Sequence, residues 1–400
     1  MKKKTIKDID VQGKRVLMRV DFNVPVKGGV IRDDTRIRGA VPTIKQLLEN
    51  GASVVLMSHM GRPQSEDADL SQLTLAPVAA DLSAKLGIKV KFVGDCVGAD
   101  ADAAVASLQA GEVLLLENLR FHAAEEGKGV SSEDQEAFAK QLAAHGDVYV
   151  NDAFGTAHRA HASMAVVTKY IDVCAAGLLL EKELEWLGGA LENPAAPFVA
   201  IMGGKKVSDK IKVIEALLPK VDKLLIGGAM AYVFSKASGG EIGDSFMDPD
   251  DVPLAKELLA KAGDKLVLPT DNVIADDFSD SANTKIVAAD AIPAGWEGLD
   301  IGPETTAHFM EIIKGAKTVI WNGPMGVFEM DSFAKGTNGV SQALADNSEC
   351  ITIIGGGDSV AAVNKAGLAD KMSHVSTGGG ASLEFMEGKV LPGLAALTDA

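Results

Sequence analysis

Along the chain, short β-rich apolar runs end in glycine or polar residues. Each is followed by a longer segment in which apolar residues return at every third or fourth position. That alternation is the pattern of parallel βα units. The runs that predict strands are Arg15 to Val20, Ser53 to Met57, Val113 to Leu116, Asp147 to Val150, Phe198 to Met202, Lys223 to Ile226, Lys265 to Leu268, Thr318 to Ile320, Ile351 to Ile354 and His374 to Ser376. Amphipathic stretches such as Glu133 to Ala144 and Val252 to Ala262 predict crossover helices, and Lys169 to Leu191 reads as one long helix. Ten strands are too many for one small sheet, and 400 residues exceed what one core usually supports, so an α/β chain of two domains is expected.

Charge narrows the partners. With 39 basic against 55 acidic residues the formal charge is −16, which argues against generic binding to nucleic acid or to an anionic membrane, so any basic site is local. The three cysteines, Cys96, Cys174 and Cys350, form no CxxC pair and are odd in number; neither a zinc cluster nor a disulfide framework is expected, and a reducing cytoplasm fits best. The basic start, Lys2 to Lys4, runs into Asp8 and Asp10 where a signal peptide needs an apolar core. No run of 18 apolar residues exists, so no membrane targeting is expected.

One asymmetry divides the chain. All eight arginines (Arg15, Arg19, Arg32, Arg36, Arg38, Arg62, Arg120 and Arg159) lie in the first 159 residues. Arginine grips carboxylate and phosphate with a rigid fork, whereas lysine offers a mobile point charge, so the first part is expected to hold a small anionic substrate. The bland alternative is a surface bias, which suits Arg15, Arg32 and Arg38. A boundary is placed near residues 170 to 190.

Ligands of open α/β sheets bind outside the carboxyl ends of the strands. After the first run, alternation puts Arg19, Asp21 and Asn23 on one face, with Val20, Phe22 and Val24 opposite. The second run leads to Ser58-His59-Met60-Gly61-Arg62, the third to Glu117-Asn118-Leu119-Arg120, and the fourth to a loop with Arg159 between His158 and His161. Successive cations at strand ends make an anion cradle; the two histidines lack the context of a zinc site. The second part changes tools. Gly203-Gly204-Lys205-Lys206-Val207-Ser208-Asp209-Lys210 reads as a turn opening a helix, with Lys206 and Lys210 on one face. Glycine-rich strand ends follow at Gly227-Gly228, Asn322 to Gly326, Gly355 to Ser359 and Gly378 to Gly380, where backbone amides can approach a polyphosphate. Asp358 is a candidate Mg²⁺ ligand, its plain alternative being a helix cap. Neither a Walker A loop nor a protein-kinase HRD or DFG set occurs. A GxGxxG turn after the first strand, which a Rossmann dehydrogenase would need, is missing too, and a non-catalytic binding protein would be expected to carry fewer paired charges.

The segments MRVDFNVP (18 to 25), LMSHMGRP (56 to 63), NDAFGTAHRAH (151 to 161), WNGPMGVFE (321 to 329), IIGGGDS (353 to 359) and VSTGGGASLE (375 to 384) resemble those of the phosphoglycerate kinase family, in its order. The resemblance implies two Rossmann-like lobes, each a parallel sheet flanked by helices, joined by a hinge and a long interdomain helix. The expected divisions are 1-170 for phosphoglycerate, 171-190 for the interdomain helix and 191-387 for nucleotide, with 388-400 returning to the first lobe. It implies reversible phosphoryl transfer between 1,3-bisphosphoglycerate and ADP, giving 3-phosphoglycerate and ATP, by a monomeric cytoplasmic enzyme of glycolysis or gluconeogenesis. Asp21, Asn23, Arg36, His59, Arg62, Arg120 and Arg159 would hold the phosphoglycerate. Lys210, Gly227, Gly228, Gly298, Asn322, Glu329, Gly355, Gly356, Gly357, Asp358 and Ser359 would hold the Mg-nucleotide, with Asp358 on the metal and Phe278 and Leu299 near the adenine. Arg36, Lys206 and the amides at Gly378 and Gly379 would stabilise the transferring group once the lobes close. Arg19 is read as supporting its strand. The family usually has a small residue where Lys205 stands; Lys206 is preferred as the catalytic lysine because its spacing to Val207, Asp209 and Lys210 fits the motif.

Overall fold

The computed structural model describes residues 2–65 and 68–400. By contacts the chain divides into one unit running to Glu185 and completed by Val390–Ala400, and a second, Trp186–Lys389.

The first unit is built on six strands in the order Val90–Phe92, Val113–Leu115, Ser53–Met57, Arg15–Arg19, Val148–Asn151, Cys174–Ala176. Every pairing is parallel. Such a sheet is covered on both faces, which is why its strands read as continuous apolar runs. Val16, Met18, Val20 and Phe22 pack with Ile37 and Ile44 of the helix Thr35–Glu49 and with Val54 and Leu56. The register sets Arg19 beside Met57 and beside Asn151, so the carboxyl ends share one edge. The last residues belong to this unit: Lys4 N donates to Thr398 O at 2.9 Å, Gly393 N to Ala157 O at 2.8 Å, and the buried Lys3 ammonium to Leu397 O at 2.7 Å.

The second unit repeats the plan with Leu266–Val267, Lys223–Ile226, Phe198–Met202, Thr318–Asn322, Ile351–Gly355 and His374–Val375, again all parallel. Asn322 stands beside Met202 and Gly355. Its core gathers Ile201, Leu225, Trp321 and Ile354 with Phe309 and Ile313 of the helix Pro303–Gly315. Two α/β units with helix-flanked parallel sheets are what the alternating pattern predicts.

Two expectations need correction. Residues 171 to 190 are not one helix. Cys174–Ala176 is a strand paired with Val148–Asn151, and the helix begins only at Leu178, passing through a π turn at Leu184–Gly188 to end at Glu192. Val173 to Ala176 is too short an apolar run to reveal its period, and pairing with a neighbouring strand decided it. The turn after Met202 does not open a helix on which Lys206 and Lys210 share a face; the helix starts at Ile211 with Lys210 as its N-cap. Asp251 Oδ2 accepts from Val207 N at 2.8 Å and Ser208 N at 3.3 Å, holding those amides in a loop. Arg19, read as supporting its strand, is wholly buried. An antiparallel sheet, Thr284–Ala288, Asp271–Ala275 and Glu297–Ile301, escaped the pattern because Thr284–Ala288 is exposed along most of its length and the other two strands carry Asp271, Gly298 and Asp300.

The Leu178 helix starts against the buried Asp152, whose carboxylate accepts from Leu179 N at 2.9 Å, Leu180 N at 3.1 Å and the Thr43 hydroxyl at 2.6 Å. A Cβ on Gly177 would lie 2.2 Å from Asp152 Oδ1, a space the capping carboxylate needs. Gly177→Ala is therefore expected to destabilise the first unit by about 2 kcal/mol, read as a lower urea midpoint at unchanged m-value.

Candidate active site

In the first unit the segments after Arg15–Arg19, Ser53–Met57 and Val113–Leu115 contribute to one edge. In the segment after Arg19, Phe22 and Val24 are buried while Asp21 and Asn23 keep partial access to solvent. Arg36, in the first turns of the helix Thr35–Glu49, donates to Asp21 Oδ1 at 3.1 Å and to Asn23 O at 2.9 Å. Asn23 Oδ1 accepts from Gly61 N at 2.9 Å, and Gly61 O accepts from Arg120 Nη1 at 2.7 Å. Arg120 also pairs with Glu126 at 3.3 Å. His59, 3% exposed, meets Arg19 through Nδ1 at 3.2 Å. Asp21, Asn23, Arg36 and Arg120 are thus joined directly or through the Gly61 backbone, and His59 is joined to Arg19. Arg62 and Arg159 present exposed side chains, and neither guanidinium is held by a neighbour among the described residues.

Burial, reinforced by the Arg19, Arg120 and Arg36 charges, holds His59 well below the usual histidine range. Beneath it lies Glu125, completely buried. Burial opposes its ionisation, but the nearby His161 ring, the Arg19 charge and the hydrogen bond from the Ser163 hydroxyl outweigh that and keep its pKa below the ordinary value.

In the second unit the loops after Met202, Ile226, Asn322 and Gly355 stand on one edge. Lys210 Nζ donates to Asn322 O at 2.9 Å and contacts Asn322 Oδ1. Burial lowers this lysine to about 8, the nearby Asp358 and Asp209 offsetting only part of the effect. Asn322 Nδ2 is buried without a hydrogen-bond partner, which leaves a donor for a ligand. Gly356, at φ 84°, caps the helix Gly357–Lys365, and a Cβ there would come within 3.0 Å of that Nδ2. Asp358 is exposed in the first turn of this helix, while Ser359 is buried and its hydroxyl accepts from Gly323 N. Gly227 and Gly228 follow their strand, Gly228 N donating to Met325 O at 2.9 Å. Gly298 and Leu299 are buried in Glu297–Ile301, and Phe278 and Glu329 are exposed. Gly378 N donates to Ser376 Oγ at 3.1 Å, and Gly379 caps the short helix Gly380–Met386. Lys206 pairs with Asp248 at 2.8 Å, whereas Lys205 lies over the Phe246 ring at 5.6 Å.

Several supporting residues carried no separate signal in the sequence. Asn118 is the clearest: its side chain accepts from Met60 N at 3.0 Å and Arg120 N at 3.1 Å, and donates to Met60 O at 2.7 Å and Leu73 O at 2.9 Å. Glu125, Ser163, Asp248 and Asp251 act similarly; Glu125 and Ser163 stand just after cation loops, whereas Asp248 and Asp251 reach the Lys206 loop from more than 40 residues away. Asp95, Cys96 and His122 also converge. There His122 Nε2 meets Asp95 Oδ1 at 2.6 Å and the Cys96 thiol donates to Glu117 O at 2.9 Å, so the three groups already satisfy one another or the backbone.

Two α/β units, one ending its strands in arginine and histidine and the other in glycine, lysine and asparagine, define a protein that handles two anionic ligands. Residues 6–389 match the model of the family described as "Phosphoglycerate kinase". Phosphoglycerate kinases of Trichodesmium erythraeum and Rippkaea orientalis are 56% and 58% identical, each covered completely and covering this whole chain. The solved phosphoglycerate kinase of Coxiella burnetii superposes with a TM-score of 0.87 at 41% identity, and that of Pyrococcus horikoshii with 0.87 at 36%, each over 98% of both chains. The chain belongs to the phosphoglycerate kinase family. It is an enzyme, a phosphotransferase with a carboxyl group as acceptor.

Because Asn118 ties two strand-end loops together from a fully buried position, Asn118→Ala leaves several polar groups without partners. A loss of about 3 kcal/mol is expected, seen in urea unfolding of the intact protein.

Proposed function

We propose that this enzyme catalyses reversible phosphoryl transfer between 1,3-bisphosphoglycerate and ADP, giving 3-phosphoglycerate and ATP, in glycolysis and gluconeogenesis. The observation that carries the reading is the continuous chain from Arg36 through Asp21, Asn23 and Gly61 to Arg120, together with His59, at the carboxyl edge of the first sheet. Asp21, Asn23, Arg36, His59, Arg62, Arg120 and Arg159 hold the phosphoglycerate. Lys210, Gly227, Gly228, Gly298, Asn322, Glu329 and Gly355 to Ser359 hold the nucleotide. The exposed Asp358 carboxylate, next to the Gly355 to Gly357 amides, suits Mg²⁺: one hard protein oxygen, with water and phosphate completing the shell. When bound, the ion would neutralise phosphate charge.

The acceptor in the back reaction is a carboxylate, ionised at neutral pH because its reference pKa is about 3.5, so no general base is required. What the protein supplies is in-line positioning and positive potential on the transferring group. Arg36 and Lys206 provide the side-chain donors, and the amides at Gly378 and Gly379 add backbone donors. The substrates are held by different units, so transfer follows their closure on the ternary complex, which also shields the acyl phosphate from water. Free, buried cysteines suit a reducing cytoplasm, and no helix among the described residues is long and apolar enough to cross a membrane.

A coupled assay with ATP, Mg²⁺ and 3-phosphoglycerate tests the assignment: ADP must form only when all three are present. In that assay Arg36→Ala and Lys206→Ala are expected to lower kcat by about 10²-fold or more. Lys205→Ala, which removes an exposed side chain, should stay within about threefold. A Lys205→Ala loss as deep as that of Lys206→Ala would exchange the two roles.

Lys210 adds a pH dependence. With its pKa lowered to about 8 by burial, it is charged below that pH and loses its proton as pH rises through it. Phosphate binding restores the charge. ADP affinity should therefore fall above about pH 8, and binding there should take up a proton, measurable by calorimetry in buffers of different ionisation enthalpy.

A further inference from the structure

We propose that Arg19 is a positioning residue that fixes His59 as the neutral imidazole with its proton on Nε2, so that this histidine offers the substrate a hydrogen bond and not a charge. The proposal rests on the reading above that His59 faces the phosphoglycerate.

Arg19 ends the central strand of the first sheet and is completely buried. Its guanidinium is held at three points: Nε donates to Ser163 Oγ at 2.9 Å, Nη1 to Val20 O, and Nη2 to His59 Nδ1 at 3.2 Å. A guanidinium has only donors and does not give up its proton inside a protein. The Nδ1 that meets it must therefore present its lone pair, which leaves the single imidazole proton on Nε2. A proton added at Nδ1 would set two donors and two positive charges against each other in a buried site. Arg120, Arg36 and His161 push the same way, disfavouring a second positive charge there.

Arg19 can stay charged in this place because Glu125 compensates it. Ser163 links the two, its hydroxyl accepting from Arg19 Nε and donating to Glu125 Oε1 at 2.6 Å, while Ser163 N donates to Oε2 at 3.0 Å. Nη2 itself is 4.0 Å from Oε1, with both side chains fully buried. A buried ion pair whose oxygens and nitrogens are all engaged is costly to break but holds one geometry. The product of that rigidity is the His59 tautomer. His59 Nε2 makes no hydrogen bond to any described residue, so the donor is left to a ligand oxygen. Contact through a permanently neutral N–H keeps its strength where an ordinary histidine would titrate, near pH 6.5.

The decisive measurement is a long-range ¹H–¹⁵N spectrum of the histidine rings in the intact, ¹⁵N-labelled protein, with His59 assigned from a His59→Gln variant. The expected result is an unprotonated Nδ1 and a protonated Nε2, unchanged between about pH 5 and 8. A protonated Nδ1, or an imidazolium forming between about pH 6 and 7, overturns the proposal. In the double variant Arg19→Met with Glu125→Gln, which removes both buried charges together, the ring should show a mixture of the two neutral tautomers; a ring still held in the single Nε2-protonated tautomer overturns the role of Arg19. Should that variant fail to fold, the spectrum of the unaltered protein still decides. Kinetics separate this from the reading beneath it. His59→Ala should raise KM for 3-phosphoglycerate about tenfold or more, and His59→Gln, a neutral donor near the Nε2 position, should recover part of that loss. An unchanged KM in His59→Ala overturns the substrate contact and the functional half of the proposal, whatever the tautomer. Rescue by His59→Lys but not by His59→Gln would mean that charge, not a directed donor, is what the position supplies.

Discussion

Parallel pairing in register is the constraint on which the rest depends. When neighbouring strands run the same way, each delivers its carboxyl end to the same edge, and the residues that follow are gathered whatever their distance in sequence. Arg19 stands beside Met57 and Asn151, and Asn322 beside Met202 and Gly355. The loops that contain His59, Arg120, Lys210 and Asp358 are therefore neighbours of other strand-end loops within their own units. The same pairing requires helices on both faces, which makes the strands apolar throughout and concentrates polar chemistry at their ends.

Electrostatics then divides the work. The first unit concentrates fixed cations and balances them from below, with Asp21 on Arg36, Glu126 on Arg120 and Glu125 under Arg19. The second holds few charges at its edge and relies on amides, an orphaned Asn322 Nδ2 and a lysine whose burial makes its proton loosely held. A small acid needs a rigid cradle of forks, whereas a polyphosphate that must be bound and released is better met by backbone dipoles and one or two mobile charges.

Polar networks behind the loops govern how well those groups are placed. Asn118 bonds two strand-end loops, Asp251 holds the amides of Val207 and Ser208, and Asp152 starts a helix. Each is a short polar side chain that finds partners far along the chain. In a single sequence such a residue is indistinguishable from a loop residue facing water.

The strands Ser53–Met57, Phe198–Met202 and Lys223–Ile226 and the helix Val252–Ala262 have the limits that hydrophobic periodicity marks, because local pattern and burial agree there. The confinement of arginine, the glycine-rich strand ends and the class of fold were equally legible, since residue type and period are properties of the chain itself. Cys174–Ala176 was not, nor was the antiparallel sheet around Asp271–Ala275, because pairing with a distant strand decided what a short or exposed run became. Nor could the chain alone say that Arg19 is wholly buried, with its fork on His59 and a fully buried Glu125 compensating it. The arginine is visible in the sequence, but its side-chain partners come from residues 40 to 144 positions away, and only folding brings them close to it.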